Sequence, residues 1–259
     1  MTILIKFFLE FFIDDGIHFG FLVVNLVNYI VLLQFIDIVL LYRSYFKILN
    51  DQLNHLKNNN ISFQIPRHHT TLNENLLKTN FIADVTGPCK NVAIYRLRII
   101  RETHRFLYSL QTEFSAFFSF QLLCSISSIF VSIIQNLYFF ALFAFGVLAM
   151  YNPRFWMSMV NALLTALLNF VILVILVQVC TITSEEVSNT SILVHALLNN
   201  EDTNSDLNED LLLFSNQLSH EKVVFTACGF FNLDFTLINT VFGAVSTYMI
   251  ILIQFQITS

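Results

Sequence analysis

The side chains best placed for chemistry lie along residues 235–258. There Thr236, Asn239 or Thr240, Gly243, Thr247, Ile251 and Gln254 recur at spacings of three and four, which puts them on one face of a helix. The face is polar toward its start and narrows to one apolar residue before Gln254. Its chemistry concerns ions and water rather than bond making: a ring of apolar side chains closes a passage by dewetting, and a ring of amides contacts partly hydrated cations. Small and hydroxylated residues are also the usual packing surface between membrane helices, so Gly243 and Thr247 stay open to that role, and Tyr248 reads as a packing anchor. Bond-making chemistry has no foothold. The chain holds no phosphate-cradling glycine loop, His-Glu-x-x-His, Cys-x-x-Cys or nucleophile elbow, so an enzyme is not expected.

The elements that must position this face are set by composition. Of the 259 residues, 56% are hydrophobic and only 12% charged, with 29 Phe against 6 Gly and 3 Pro, which is too apolar and too poorly punctuated for an ordinary soluble domain. A helix needs ~20 mostly apolar residues to cross ~30 Å of hydrocarbon. Four stretches qualify, at 17–42, 116–143, 156–182 and 235–258. The expected fold is therefore all-α, a polytopic membrane helical bundle with four transmembrane helices and helical cytosolic extensions. The opening 1–16 is apolar but short and broken by Lys6, Glu10, Asp14 and Asp15, so a signal peptide is not expected. A transporter would show repeated halves and interrupted spans, and neither is evident.

Lys and Arg set the orientation. Arg43, Lys47, Lys57, Arg67, Lys78, Lys90, Arg96, Arg98, Arg101 and Arg105 all fall between the first and second spans, which places residues 43–115 in the cytosol. Residues 183–234 are then cytosolic too, and 1–16, the 144–155 loop and the C-terminus are extracellular. The cysteines fit, since Cys89 and Cys228 fall on the cytosolic side and Cys124 and Cys180 within spans, leaving no pair for a disulfide. The sequons at Asn60 and Asn189 should be unused.

Near the membrane the cytosolic segments carry helical stripes. Tyr42, Phe46, Leu49, Leu53 and Leu56 form one, and Leu97, Ile100, His104, Leu107, Gln111 and Phe114 another. Between them, Asn58 to Lys90 reads as a flexible linker, rich in Asn and Thr and holding Pro66 and Pro88. In the other segment, Asn199 to Asp210 reads as a solvated acidic loop, without calcium-loop order, followed by an amphipathic helix over Leu211 to Leu218. His68-His69 has no Cys partner at zinc spacing, so no metal and no cofactor are expected. Asp37, the one acidic residue within a span, lies about a turn and a half from Arg43 and reads as a local ion pair or a snorkelled end.

Thr247, Tyr248, five apolar residues, Gln254 and Phe255 make a string that resembles the C-terminal signature of insect gustatory receptors. The stretch Val223 to Asp234 resembles the segment before the last span of that family, and Phe118 to Leu123 with Asn136, Leu137 and Tyr138 resembles its fifth span. The resemblance implies a ligand-gated, non-selective cation channel at the plasma membrane. It also implies a homo- or hetero-tetramer with other receptor subunits, in which the last span of each lines one pore with a gate around Ile251, Gln254 and Phe255. Family members have seven spans; the four here look like the fourth to the seventh, without counterparts of the first three. A truncated non-conducting fragment or a four-span membrane scaffold is the alternative. Sugar-sensing members commonly carry an acidic residue where this chain has Met249, which favours a bitter-type small-molecule tastant.

A pocket for such a ligand would open outward among the spans. Its candidate walls are Asn25, Asn28 and Tyr29 from the first, Gln135, Asn136 and Tyr138 from the second, and Trp156 and Asn161 from the third. Trp156 also fits an interfacial anchor. Beyond ligand, cations, sister subunits and the lipid bilayer, no partner is expected, and nucleic acid is not one.

Overall fold

Apolar repeats of three and four along most of the chain demand long helices, and these dominate the computed structural model, which describes residues 15–62, 75–144, 153–199 and 205–258. Helix α1 runs Asp15–Ser62, α2 Asn75–Ala144, α3 Pro153–Leu198, α4 Ser205–His220 and α5 Phe235–Thr258. A two-stranded hairpin, β1 Thr226–Ala227 and β2 Phe231–Asn232, lies between α4 and α5. Four of the helices are long and apolar enough to cross a membrane, so the fold is an all-α membrane bundle. The segments 1–14, 63–74, 145–152 and 200–204, which include parts of the expected N-terminal segment, linker and loops, lie outside the described residues.

The chain divides into two compact units. The first comprises 1–40, 115–181 and 225–259. Its core is built from matched helical stripes: Leu32, Phe35, Ile36 and Val39 of α1, Leu122, Ile126, Ile129 and Ile133 of α2, and Leu173, Leu176, Val177 and Cys180 of α3. Among its described side chains, helix α5 adds Leu237 and Val245 to the buried set. Two ring pairs also hold it, Phe170 with Phe242 at 5.1 Å and Phe130 with Tyr248 at 6.1 Å between centroids.

Entry into α5 is tightly made. In the hairpin, Thr226 pairs with Asn232 and Ala227 with Phe231. Cys228 and Gly229 both have positive φ, 50° and 73°, and the Phe230 N–H donates to the Ala227 carbonyl at 3.0 Å, as in a type I′ turn. Gly takes that conformation freely, whereas Cys pays a steric cost for it. Two residues past the hairpin, Asp234 caps α5, its Oδ1 accepting the Thr236 backbone N–H at 2.9 Å.

The second unit comprises 41–114 and 182–224. Here the stripes of the membrane-proximal segments come together: Phe46, Leu49 and Leu53, then Leu97, Ile100, His104, Leu107 and Gln111, are buried with Val187, Val194, Leu197, Leu211, Phe214 and Leu218. Arg43, Lys47, Arg96, Arg98, Arg101 and Arg105 all belong to this unit.

Two expectations need correction. The linker read over 58–90 is helical at 58–62 and again from Asn75. Leu77, Phe81 and Val85, four apart, carry a helical repeat that the surrounding Asn, Thr and Pro obscure. The acidic loop read to Asp210 ends earlier, because α4 begins at Ser205. Asp206 in its first turn suits the positive end of the helix, and Asp210 is buried against arginines.

Candidate functional site

Within the first unit, neutral polar side chains from three helices meet inside the apolar core. The Asn28 amide of α1 donates to Ser128 Oγ of α2 at 3.1 Å, and its carbonyl accepts from Ser125 Oγ at 3.3 Å. One residue on, the Tyr29 hydroxyl donates to Asn169 Oδ1 of α3 at 2.7 Å. Asn169 is buried, and its Nδ2 donates at 2.9 Å to Ser132 Oγ, which also accepts from Asn136 Nδ2 at 3.2 Å. Asn136 donates as well to the Ser132 carbonyl at 2.8 Å. A polar group in a membrane core must find a partner inside the protein, so these links fix the mutual register of α1, α2 and α3.

Of the eight pocket candidates, the structure joins Asn28, Tyr29 and Asn136 in this network. Asn25, Gln135 and Tyr138 are half-buried. Trp156 and Asn161 are exposed and not part of it, and the Asn161 carbonyl accepts from Thr165 Oγ1 at 2.8 Å. Ser125, Ser128, Ser132 and Asn169 escaped the sequence reading. Their signal was present: the serines are spaced three and four apart on one face of α2, and Asn169 continues the buried stripe Ala162, Ala166, Leu173 of α3.

Helix α5 presents the other candidate surface. Thr236, Asn239, Thr240, Gly243, Thr247, Ile251 and Gln254 are all exposed, whereas Leu237 and Val245 on the opposite side are buried. The polar face is thus not the one that packs against its own chain. Phe255 is 62% exposed beside it, and Tyr248, half-exposed, has its ring against Phe130. The hydroxyls on the polar face are oriented by the backbone: Thr240 donates to the Thr236 carbonyl and Thr247 to the Gly243 carbonyl, each at 2.9 Å. With its proton used in this way, each oxygen keeps a lone pair for an outside donor, a water or a cation.

The second unit is joined by ionised groups instead. Arg98 Nε donates to both carboxylate oxygens of Asp210, at 2.9 and 3.2 Å, and Arg101 lies 3.5 Å from the same carboxylate. Asn50 Nδ2 donates to the carbonyl and carboxylate of Glu186, at 2.9 and 2.8 Å, while the Thr190 hydroxyl donates to Asn50 Oδ1 at 2.7 Å. His104 is fully buried with Nδ1 3.1 Å from Glu221 Oε2, and the same oxygen accepts from Gln217 at 2.8 Å. Burial holds the His104 pKa below its usual 6.5, with the neighbouring Glu221 charge opposing that shift.

The comparisons agree with this architecture. A family model described as 7tm chemosensory receptor matches residues 1–259. A protein named gustatory receptor 28a in Drosophila melanogaster is 29% identical over 238 residues, covering 84% of this chain and 51% of the relative. One named gustatory receptor 28b, from the same organism, is 31% identical over 159 residues, or 61% of this chain and 34% of the relative. One named gustatory receptor 2a is 56% identical over 45 residues. The chain spans about half the length of the first of these relatives and about a third of the second.

Proposed function

The chain belongs to the 7tm chemosensory receptor family, with gustatory receptors among its relatives, and from that premise we propose that it forms the pore-bearing part of a ligand-gated, non-selective cation channel. One observation carries the reading: the polar face of α5 that ends at Ile251 and Gln254 is exposed in the single chain, while the opposite face packs. A membrane helix facing lipid gains nothing from a row of hydroxyls and amides, so that face is suited to water or to sister subunits. In a tetramer the α5 helices surround one axis. Thr240 and Thr247 then offer oxygen lone pairs to cations, Ile251 closes the passage by dewetting when its ring narrows, and Gln254 with Phe255 flanks the gate.

The ligand is a small, partly polar tastant, bitter-type rather than sugar, taken at the outer side of the first three spans. Tyr29 and Asn28, with the amides and rings around Gln135, Asn136 and Tyr138, would supply its contacts. A ligand that accepts the Tyr29 proton or replaces the Asn169 amide would change the register that the network holds, which is a route from capture to the pore. The chain sits in the plasma membrane with the second unit cytosolic and the C-terminus outside, following the excess of Lys and Arg between the first two spans.

The test is whole-cell recording from cells expressing the chain together with whatever reading frame precedes it, challenged with panels of alkaloids and sugars. Inward cation current evoked by an alkaloid, and lost in Tyr29→Phe with Asn169→Ala, agrees with the proposal. Surface expression without current to either panel points to a non-conducting subunit or scaffold.

A further inference from the structure

His104 is an unusual side chain to find at the centre of the second unit. It is 0% exposed and caged by two rings, with Phe46 at 5.5 Å and Phe214 at 5.7 Å between centroids, both edge-on. Its Nε2 is buried with no hydrogen-bond partner. Glu221 is an acceptor while ionised, so Nδ1 carries the proton of the neutral imidazole and donates it, and Nε2 is the bare lone pair. Leu or Phe would fill the same site without an orphaned polar atom, and a buried unsatisfied group calls for an explanation.

We propose that His104 and Glu221 form a proton-sensitive clasp: protonation of His104 at Nε2 loosens α4 and residues 221–224 from the His104 stretch of α2. The imidazolium has two N–H donors. Glu221 takes one, whereas the second, on the buried Nε2, has no acceptor among the described residues, and opening of the cage is what relieves it. Among the described residues, Glu221 is the one ionisable group bonded to His104. On α4, Asp210 is held by Arg98 and Arg101, and His220 is exposed. Lys47 and Asp51 of α1 and Glu102 and Arg105 of α2 are exposed, and the Glu186 carboxylate of α3 is taken by Asn50. The depressed pKa of His104 agrees with this geometry, because it means that the clasped form resists the proton and the opened form accepts it. The consequence extends along the chain, since Glu221 opens the segment that leads through the hairpin to the capped start of α5.

The test is hydrogen exchange of the receptor in nanodiscs, corrected for intrinsic rates, from about pH 7.5 to about pH 5.5, reading peptides across 205–225. A group that protonates only on opening raises the open population by up to about tenfold per pH unit below its free pKa of about 6.5. Protection over 205–225 should therefore fall by up to about tenfold, while peptides across 122–133 stay constant. In His104→Gln, which does not titrate there, the fall should vanish. Should that variant lose protection at every pH, Glu221→Gln replaces it: the clasped imidazolium then lacks its counter-charge, so the fall should be at least as large as in the wild type. A wild-type protein whose protection changes less than about twofold, or a fall that survives in His104→Gln or is smaller in Glu221→Gln, overturns the proposal.

Discussion

The two units join distant helices by opposite means. In the first, Asn28, Ser125, Ser128, Tyr29, Asn169, Ser132 and Asn136 exchange hydrogen bonds between neutral groups. In the second, Arg98 and Arg101 meet Asp210, Asn50 meets Glu186, and His104 meets Glu221. The difference follows from the surroundings. A carboxylate or guanidinium costs several kcal/mol in hydrocarbon, whereas an amide or hydroxyl can be fully satisfied there by one or two partners. A charge-assisted bond is roughly twice as strong as a neutral one where charge is tolerated. The neutral network of the first unit should therefore respond little to pH or salt, and the ionised links of the second unit are where both can act.

That contrast can be broken at single residues. The largest effect should come from Asp210→Ala, which leaves Arg101, largely shielded from solvent, without its carboxylate; local opening of α2 and α4 near residues 98–101 and 206–214 should become easier by about 2–3 kcal/mol, read by hydrogen exchange. Next is Asn169→Ala. It strands the Tyr29 hydroxyl and one bond of Ser132 and should cost the first unit about 1–2 kcal/mol, equally at low and high salt. A first unit whose Asn169→Ala penalty changed with ionic strength would contradict the division drawn above.

Acid sharpens the comparison further. His104 has a folded pKa below 6.5, so the stability it contributes is present above 6.5 and is lost as pH falls from 6.5 toward the folded value. The slope cannot exceed about 1.4 kcal/mol per pH unit for one proton, and the first unit should show none of it. Salt gives the smallest effect. Raising ionic strength from about 0.1 to about 1 M should weaken the Arg98–Asp210 link, whose arginine is 61% exposed, by no more than about 0.5 kcal/mol.

Much of this was legible in the residues. The stripes Phe46, Leu49, Leu53 and Leu97, Ile100, His104, Leu107, Gln111 are buried as their spacing requires, because a helix leaving the bilayer with an apolar face must cover it. The polar face of α5 could be traced by spacing alone, but its exposure could not, since packing and pore-lining residues have the same composition. The serines of α2 were missed because Ser in an apolar run is common and only its partners, Asn28 and Asn169 from helices far away in sequence, distinguish a network from a passive surface. Spacing places His104 on a stripe that is buried, but the orphaned Nε2 is a property of three-dimensional surroundings that no periodicity encodes. The hairpin was hidden by its turn, which uses Cys-Gly where Asn-Gly or Asp-Gly would have announced it.

The central claim is that the exposed face of α5 lines a cation pore, and cysteine accessibility tests it most directly. In the full-length receptor carrying a conducting current, Thr247→Cys, Ile251→Cys and Gln254→Cys should each let a water-soluble cationic thiol reagent block that current, whereas Val245→Cys, on the packed face, should be untouched. Block at Val245→Cys with none at the other three, or no difference between the two faces, would contradict the assignment of α5 as the pore helix.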